Sequence, residues 1–590
     1  MLMIHHRGFM VKLFKILLFL LLVPQVLFAT DRYVHNTSST NSLDCTNGIS
    51  TYNPTGDSGD GSCTGGSDYV YSSIQNSITA MSAGDTIYIR GGTYTEDSSG
   101  GNVNLPAIEI PNTKNGSAWT EGNYNTLTSY PGEWAIIDGE GDIASGAVIG
   151  KIAFSRGGTT ELAYWKFERL GITGGGGAGE KGAPAGLFLT AGPHIVRYCH
   201  IYDNWNANNY NNPTGLNGTR MRDSVVEYNY FYHNGSAGNN GEHIYLNPYP
   251  YCAESDGADG YCDNPLDTVA RNEIRYNRIA GSNGSTITEH PIKYKVSTIF
   301  TDIDGSGPDT REDWGDKIHH NIFTGTGSSL ILKQDYLQLY QNIFDAVHVT
   351  NGDYNYYHRL FITIYNNTFA GGAVYSQRQP NNGTFTAAEH IINNVFDLSD
   401  TVDIAGQESD GVDYATVCSS SETGVFYSDW YITNNYSYRP VTTTHYQIAI
   451  AITGALYGNF TAEALDIAWT NHTGNVSKAT SEGSDNLYEV DGLTTRGAHS
   501  TGSTTIANGG TGGNHPYLSG VTIPEFLGAT NPDDNSWVAG VNSLDVTYFT
   551  NEEAGSTPSW VEGAATTGVT IDPTANQVTC GGSGSVTIGG

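Results

Sequence analysis

The sequence predicts an all-β chain, a right-handed parallel β-helix with an N-terminal capping helix and a β- and loop-rich C-terminal region. Three observations predict it. A strand phrase ending in Asn, any residue, then an apolar or aromatic residue recurs along the chain. In its best-kept stretch the Asn positions 321, 342, 367 and 394 are 21, 25 and 27 residues apart, the length of one solenoid coil. The 590 residues also include 73 Gly with abundant Asn, Ser and Thr, a composition of many turns and few long helices.

Taken in order, the chain opens on a targeting signature. Lys12 and Lys15 precede an apolar run from Ile16 to Phe28, with Ala29 at a cleavage position, so residues 1–29 are expected to be a signal peptide. No later stretch of about 20 apolar residues exists, so no further membrane span is expected. The expected location is outside the cell or at its surface, with the periplasm as the alternative. Next, Tyr71 to Ile78 and then Gly84 to Tyr94 read as a short amphipathic helix, a turn and a first strand.

The repeats then run through Val225–Phe231, Glu273–Ile279, Lys317–Phe323, Leu337–Phe344, Ile362–Phe369 and Ile391–Phe396. An earlier copy, Val196–Ile201, has Cys199 in the Asn slot, and a later one ends at Asn434-Asn435. Asn suits such a corner because it tolerates left-handed backbone and its amide can stack on the Asn above and below. The spacings 199 to 229, 229 to 277 and 277 to 321 are longer, so those coils carry insertions. The helix domain is expected to span 30–440, terminal coils and Gly/Ser/Thr-rich loops 441–520, and a tail or small β module 521–590.

Charge excludes one class of function. With 27 basic and 60 acidic side chains the net charge is −33, opposite to the basic footprint that nucleic-acid binding needs. The 38 Tyr suit contact with sugars, and equally suit half-exposed strand positions. Seven Cys without CxxC or Cys/His spacing fit an oxidising compartment and exclude a zinc site. Cys45 with Cys63, and Cys252 with Cys262, bracket loops, whereas Cys199, Cys418 and Cys580 leave at least one thiol over.

Aligning the later strand of each coil by its apolar residues points Ile244, Leu246, Leu330, Leu332, Val347 and Val349 inward. The outward columns become Tyr245–Lys293–Ile331–His348–Tyr375 and Asn247–Lys295–Lys333–Thr350–Gln377, with His243, His290 and Arg378 beside them. Three lysines on one face of so acidic a chain suit β-elimination on a uronate-containing polysaccharide. That reaction needs a cation on the carboxylate, a base near C5 and an acid at the leaving oxygen. Lys293 or Lys295 is the expected base, Lys333 or Arg378 the carboxylate ligand, and Tyr245 or His348 the proton donor. His243, Asn247, Tyr375 and Gln377 would complete substrate binding. The alternative is a solvated strand face with ordinary lysines.

The phrases Tyr71–Tyr94 and Leu127–Gly139 resemble the start of pectate-lyase-like β-helix proteins, nearest the chondroitinase B and alginate lyase group. The resemblance covers roughly residues 65 to 440 and is specific for fold more than for activity. It implies a lysine base near a calcium held by Asn and Glu, for which Glu242 and Glu289 are the nearest counterparts. The group's Glu–Lys-Ser pattern is absent, since Val296 follows Lys295. A second calcium candidate is the acidic run Asp302, Asp304, Asp309, Glu312, Asp313 and Asp316, which lacks the EF-hand spacing and reads rather as a solvated loop. An acidic polysaccharide is the expected partner and self-association is open. The rivals are a non-catalytic β-helix rod, such as an adhesin or filament subunit, and a glycoside hydrolase of the same fold. For the hydrolase, the paired-Asp and Gly-His-Gly pattern is missing.

Overall fold

The computed structural model describes residues 30–35, 48–53, 62–95, 106–111, 113–116, 123–139, 147–150, 162–175, 185–206, 213–236, 241–247, 271–281, 289–294, 315–334, 336–351, 362–370, 372–376, 389–397 and 404–406, and shorter pieces between 431 and 580. The described strands form a parallel β-helix. Each coil contributes one strand to a first sheet, as in Val225–Glu227, Glu273–Arg275 and Lys317–His319. After the Asn corner it contributes a short strand to a second sheet, as in Tyr230–Tyr232 and Arg278–Ala280. A further strand of that second sheet follows, as in Thr214–Thr219, Gly241–Asn247 and Glu289–Tyr294. The coil therefore has three lanes. In Ile322–Leu332 and Ile343–Asn351 the second and third lanes run together as one strand.

The Asn corner is the repeated device that closes these coils. Asn321 Nδ2 donates to Ile274 O at 2.8 Å, His319 O at 2.9 Å and Asn342 Oδ1 at 3.0 Å. The same pattern joins Asn229, Asn277, Asn321, Asn342, Asn367, Asn394 and Asn435. Each stacked amide satisfies backbone groups that water cannot reach. The left-handed residue is not the Asn but the one before it. Tyr198, Tyr228, Tyr276, His320, Gln341, Asn366, Asn393 and Asn434 have φ between 51 and 55°. Among them, Tyr198, Tyr228 and Tyr276 stack with ring centroids 5.3 and 5.0 Å apart, and the His320 ring lies tilted 4.9 Å from Tyr276. Cys199 keeps the Asn slot, its buried thiol near Arg197 O and Phe167 O at 3.3 and 3.6 Å. Burial pushes that thiol up to about 12, so it is inert at neutral pH.

A second ladder, not expected from the sequence, enters the first sheet. Ser224 Oγ accepts from His194 N, Asn272 Oδ1 from Ser224 N, Asp316 Oδ1 from Asn272 N, and Gln334 Oε1 from Asp316 N. Asp316 is thus fully buried, which corrects its assignment to a solvated or calcium-binding acidic loop. Its carboxylate also accepts from Tyr294 Oη at 2.8 Å. Inside the helix the apolar alternation is as expected. Ile244, Leu246, Leu330, Leu332, Val347 and Val349 are buried, and Phe323, Phe344, Phe369 and Phe396 stack 4.6–4.9 Å apart.

At the N-terminal end, helix Ile74–Ala80 is capped by Ser73, whose Oγ accepts from Asn76 N at 3.1 Å. Its Ile74 and Ile78, with Met81, enter the main core. The edge of the first sheet is taken by strands. Asp31–Val34 pairs with Ser62–Tyr71, which pairs antiparallel with Gly48–Asn53. At the other end of the chain, the described pieces 522–524, 528–529 and 536–544 lie against the solenoid. Ile523 packs on Tyr365 and Ile392, Ala529 N donates to Thr368 Oγ1 at 2.9 Å, and helix Ser536–Asn542 buries Val538 and Val541 against Tyr230, Ala280, Ile322 and Ile343. Arg278 Nη1 donates to Asn542 O at 2.7 Å, holding the helix end through a charge-assisted bond. Among the described residues no helix is long and apolar enough to cross a membrane.

Candidate active site

The third lane holds the strands on which the sequence places the basic face, and of its three lysines Lys293 and Lys333 have described side chains. Its strands pair Asn217 with Tyr245, and Tyr245 with Lys293, while Lys293 opposes Ile331. In parallel strands such lateral neighbours point the same way, so Tyr245 and Lys293 share a face. The next partner differs from expectation. Ile331 pairs with Thr350 and His348 with Ser329, and Thr350 in turn pairs with Tyr375. The cause is a register shift between Thr324 and Ser328, where Gly325, Thr326 and Gly327 lie opposite Ala346 alone. An offset of two keeps side chains on the same face. His348 therefore stays on the lysine-bearing face but leaves the Lys293 column, and Lys333 is no longer beside Thr350.

The centre of the face is an ion pair. Lys293 Nζ lies 2.8 Å from Glu242 Oε1, with the lysine side chain 17% exposed and the glutamate fully enclosed. Burial pushes the Glu242 carboxyl up to about 7 despite the opposing pull of Lys293. Oxygen Oε2 of Glu242 has no hydrogen-bond partner among the described residues, and neither has Thr214 Oγ1. Thr214, Glu242 and His290 are lateral neighbours on successive coils. The His290 ring is partly exposed, and its Nδ1 lies 2.9 Å from Ser329 O. Burial first, and the charge of Lys293 second, bring its imidazole down to about 4. Sequence reasoning left His290 at the margin, and nothing in the small, polar strand Thr214–Thr219 marked Thr214 or Asn217.

Other expected site residues are distributed unevenly. Tyr245, Asn247, Lys333 and His348 are half-buried. His243 is a correction: it is fully buried, and its Nδ1 faces Asn234 Nδ2 at 3.2 Å inside the corner, so it does not meet a ligand on the surface. Lys295, Gln377, Arg378, Asp302 and Asp304 lie outside the described residues, as do the side chains of Glu289 and Tyr375.

Of the two carboxylates that the resemblance offers to a calcium, only Glu242 has a described side chain. Calcium takes six to eight oxygens. Here Glu242 is neutralised by an ammonium, and among the described residues no group of three or more His, Cys, Asp or Glu is placed to hold a metal.

No protein-family model and no curated protein matches the sequence. Among solved structures the chain is similar to an alginate lyase from Paenibacillus sp. str. FPU-7, at 14% identity over 57% of this chain and 91% of that one, with a TM-score of 0.28. It is also similar to pectate lyase Pel9A, at 12% identity over 67% and 83%, TM-score 0.34. A third similarity is to XylC in complex with xylose, at 10% identity over 72% and 85%, TM-score 0.38. The fold itself rests on the strand pairing of this chain.

Proposed function

We propose that this chain is an exported polysaccharide lyase that cleaves a uronate-containing glycan by β-elimination on the third-lane face. The observation that carries the proposal is the Lys293–Glu242 pair beside Tyr245, a tethered cation next to a phenol on an outward strand column. Elimination needs positive charge on the uronate carboxylate, because neutralising it makes the C5 proton acidic. Lys293 supplies that charge, and the buried Glu242 fixes where it sits. Tyr245 stands one coil away, suited to protonate the glycosidic oxygen as it leaves. An ammonium bonded to a carboxylate has no lone pair to offer, so the pair favours Lys293 as the charge-neutralising group over Lys293 as the base.

The test is incubation of the purified protein with alginate, pectate, chondroitin and heparin, followed by ultraviolet absorbance of the unsaturated product. One of these is expected to give signal, and Lys293→Ala is expected to lower kcat/KM by about 100-fold or more. No signal on any of them removes the lyase and leaves the rod or the hydrolase.

A further inference from the structure

We propose that His290 is the base of this elimination, accepting the C5 proton at Nε2; the inference rests on the lyase function proposed above. Its tautomer is set by a neighbour that can only accept. Ser329 O lies 2.9 Å from Nδ1, so Nδ1 carries the hydrogen. In a neutral ring the lone pair then sits on Nε2. The ring is kept neutral by burial and by Lys293, both of which disfavour the imidazolium.

Position agrees with this assignment. His290 is the lateral neighbour of Glu242, and Glu242 holds the Lys293 ammonium at 2.8 Å. A sugar whose carboxylate meets Lys293 therefore has His290, not the lysine, as the nearby group with a lone pair. His290 is also partly exposed, whereas His243 on the preceding coil is fully buried against the Asn ladder. Binding of the polyanion also helps the base at the right moment. The carboxylate, and the negative charge that develops as C5 is deprotonated, both favour the imidazolium as it forms.

The step balances within the groups named. The C5–H bond breaks, and the proton goes to His290 Nε2. The electron pair forms the C4–C5 double bond, and the C4–O bond breaks. The leaving oxygen takes the proton of Tyr245 Oη. His290 and Tyr245 then return to their starting states by exchange with water.

The experiment uses the full chain and whichever of the four glycans gives unsaturated product. His290→Ala is expected to lower kcat by 10²–10⁴-fold with KM changed only a few-fold. Added imidazole is expected to restore part of the rate to His290→Gly. In the folded wild type, imidazole ¹⁵N shifts at neutral pH are expected to report a neutral, Nδ1-protonated His290. His290→Ala retaining kcat within threefold, while the wild type is active, overturns the base and leaves the lyase standing. A folded His290→Gly that is inactive and unrescued, or an Nε2-protonated ring, also overturns it. A wild type without unsaturated product on any glycan sinks both proposals together.

Discussion

The Asn of a coil corner is costly to replace because it serves several partners at once. Asn321 donates through Nδ2 to two carbonyls and to the next Asn, while its Oδ1 accepts from Asn277 N and Asn277 Nδ2. Asn321→Ala strands all of these groups away from water, with an expected loss of about 4 kcal/mol in chemical denaturation. A loss under about 1 kcal/mol would show that the ladder is ornamental. This residue type was legible in the sequence because its role repeats. The left-handed residue before it was not, because in the upstream coils it is Tyr198, Tyr228 and Tyr276, a residue type that rarely takes that conformation and so gives no signal there. Glu242 makes a prediction of the opposite kind. Its carboxyl titrates near 7 in the folded chain against 4.5 ordinarily, so the folded state binds the extra proton between these values. Stability contributed by this group therefore falls as pH rises from about 4.5 to about 7, by on the order of 3 kcal/mol. Glu242→Gln removes that slope, and unfolding midpoints of the two proteins across this window check it. Parallel pH curves would contradict the burial of the charge.

At the scale of elements, the first sheet carries charge in alternation across its coils. Glu168, Arg197, Glu227, Arg275 and His319 are successive lateral neighbours. Arg197 Nε bonds Glu168 at 3.0 Å and Arg275 Nε bonds Glu227 at 2.9 Å. Glu273, two residues before Arg275 on the same strand and face, takes His319 Nε2 at 2.7 Å and Arg275 Nη1 at 3.0 Å. Burial alone would raise the Glu273 carboxyl, but these partners and Lys317 prevail and bring it down to about 2. Its contribution is therefore fully present above about 4.5 and is lost as pH falls through about 2. Glu273→Gln is expected to cost on the order of 3 kcal/mol at pH 7, the difference vanishing in strong acid. An equal cost at both extremes would place the effect in packing instead. The alternation was invisible in the sequence because its members stand 29 to 48 residues apart. The same distance problem misplaced His348. Matching apolar residues fixes which face a strand presents, but three residues opposite Ala346 move the partner by one pair.

Across the whole molecule, the solenoid was legible because coil after coil states the same rule: alternating apolar residues inside, Asn at the corner and, in the best-kept stretch, one coil per twenty-odd residues. A repeat makes a weak local signal strong by repetition. Features that occur once were not legible. The hairpin that takes the sheet edge at Gly48–Asn53 and Ser62–Tyr71 sits in a stretch that reads as loop. The packing of the described pieces between 522 and 544 on the solenoid depends on contacts such as Arg278 with Asn542, 264 residues apart. The candidate site is intermediate. The column of Tyr245 and Lys293 followed from alternation, but the use of Lys293 did not, because the sequence cannot show that Glu242 turns to it. The same holds for the hydrogen bond that fixes the His290 ring.

The central claim, elimination on an acidic glycan at this face, is tested most directly by mass spectrometry of the oligosaccharides released from the four uronate polysaccharides. Elimination predicts products lighter by one water than hydrolytic fragments, made by the wild type and strongly diminished with Lys293→Ala. Fragments of hydrolytic mass, or fragments unchanged by Lys293→Ala, would contradict it.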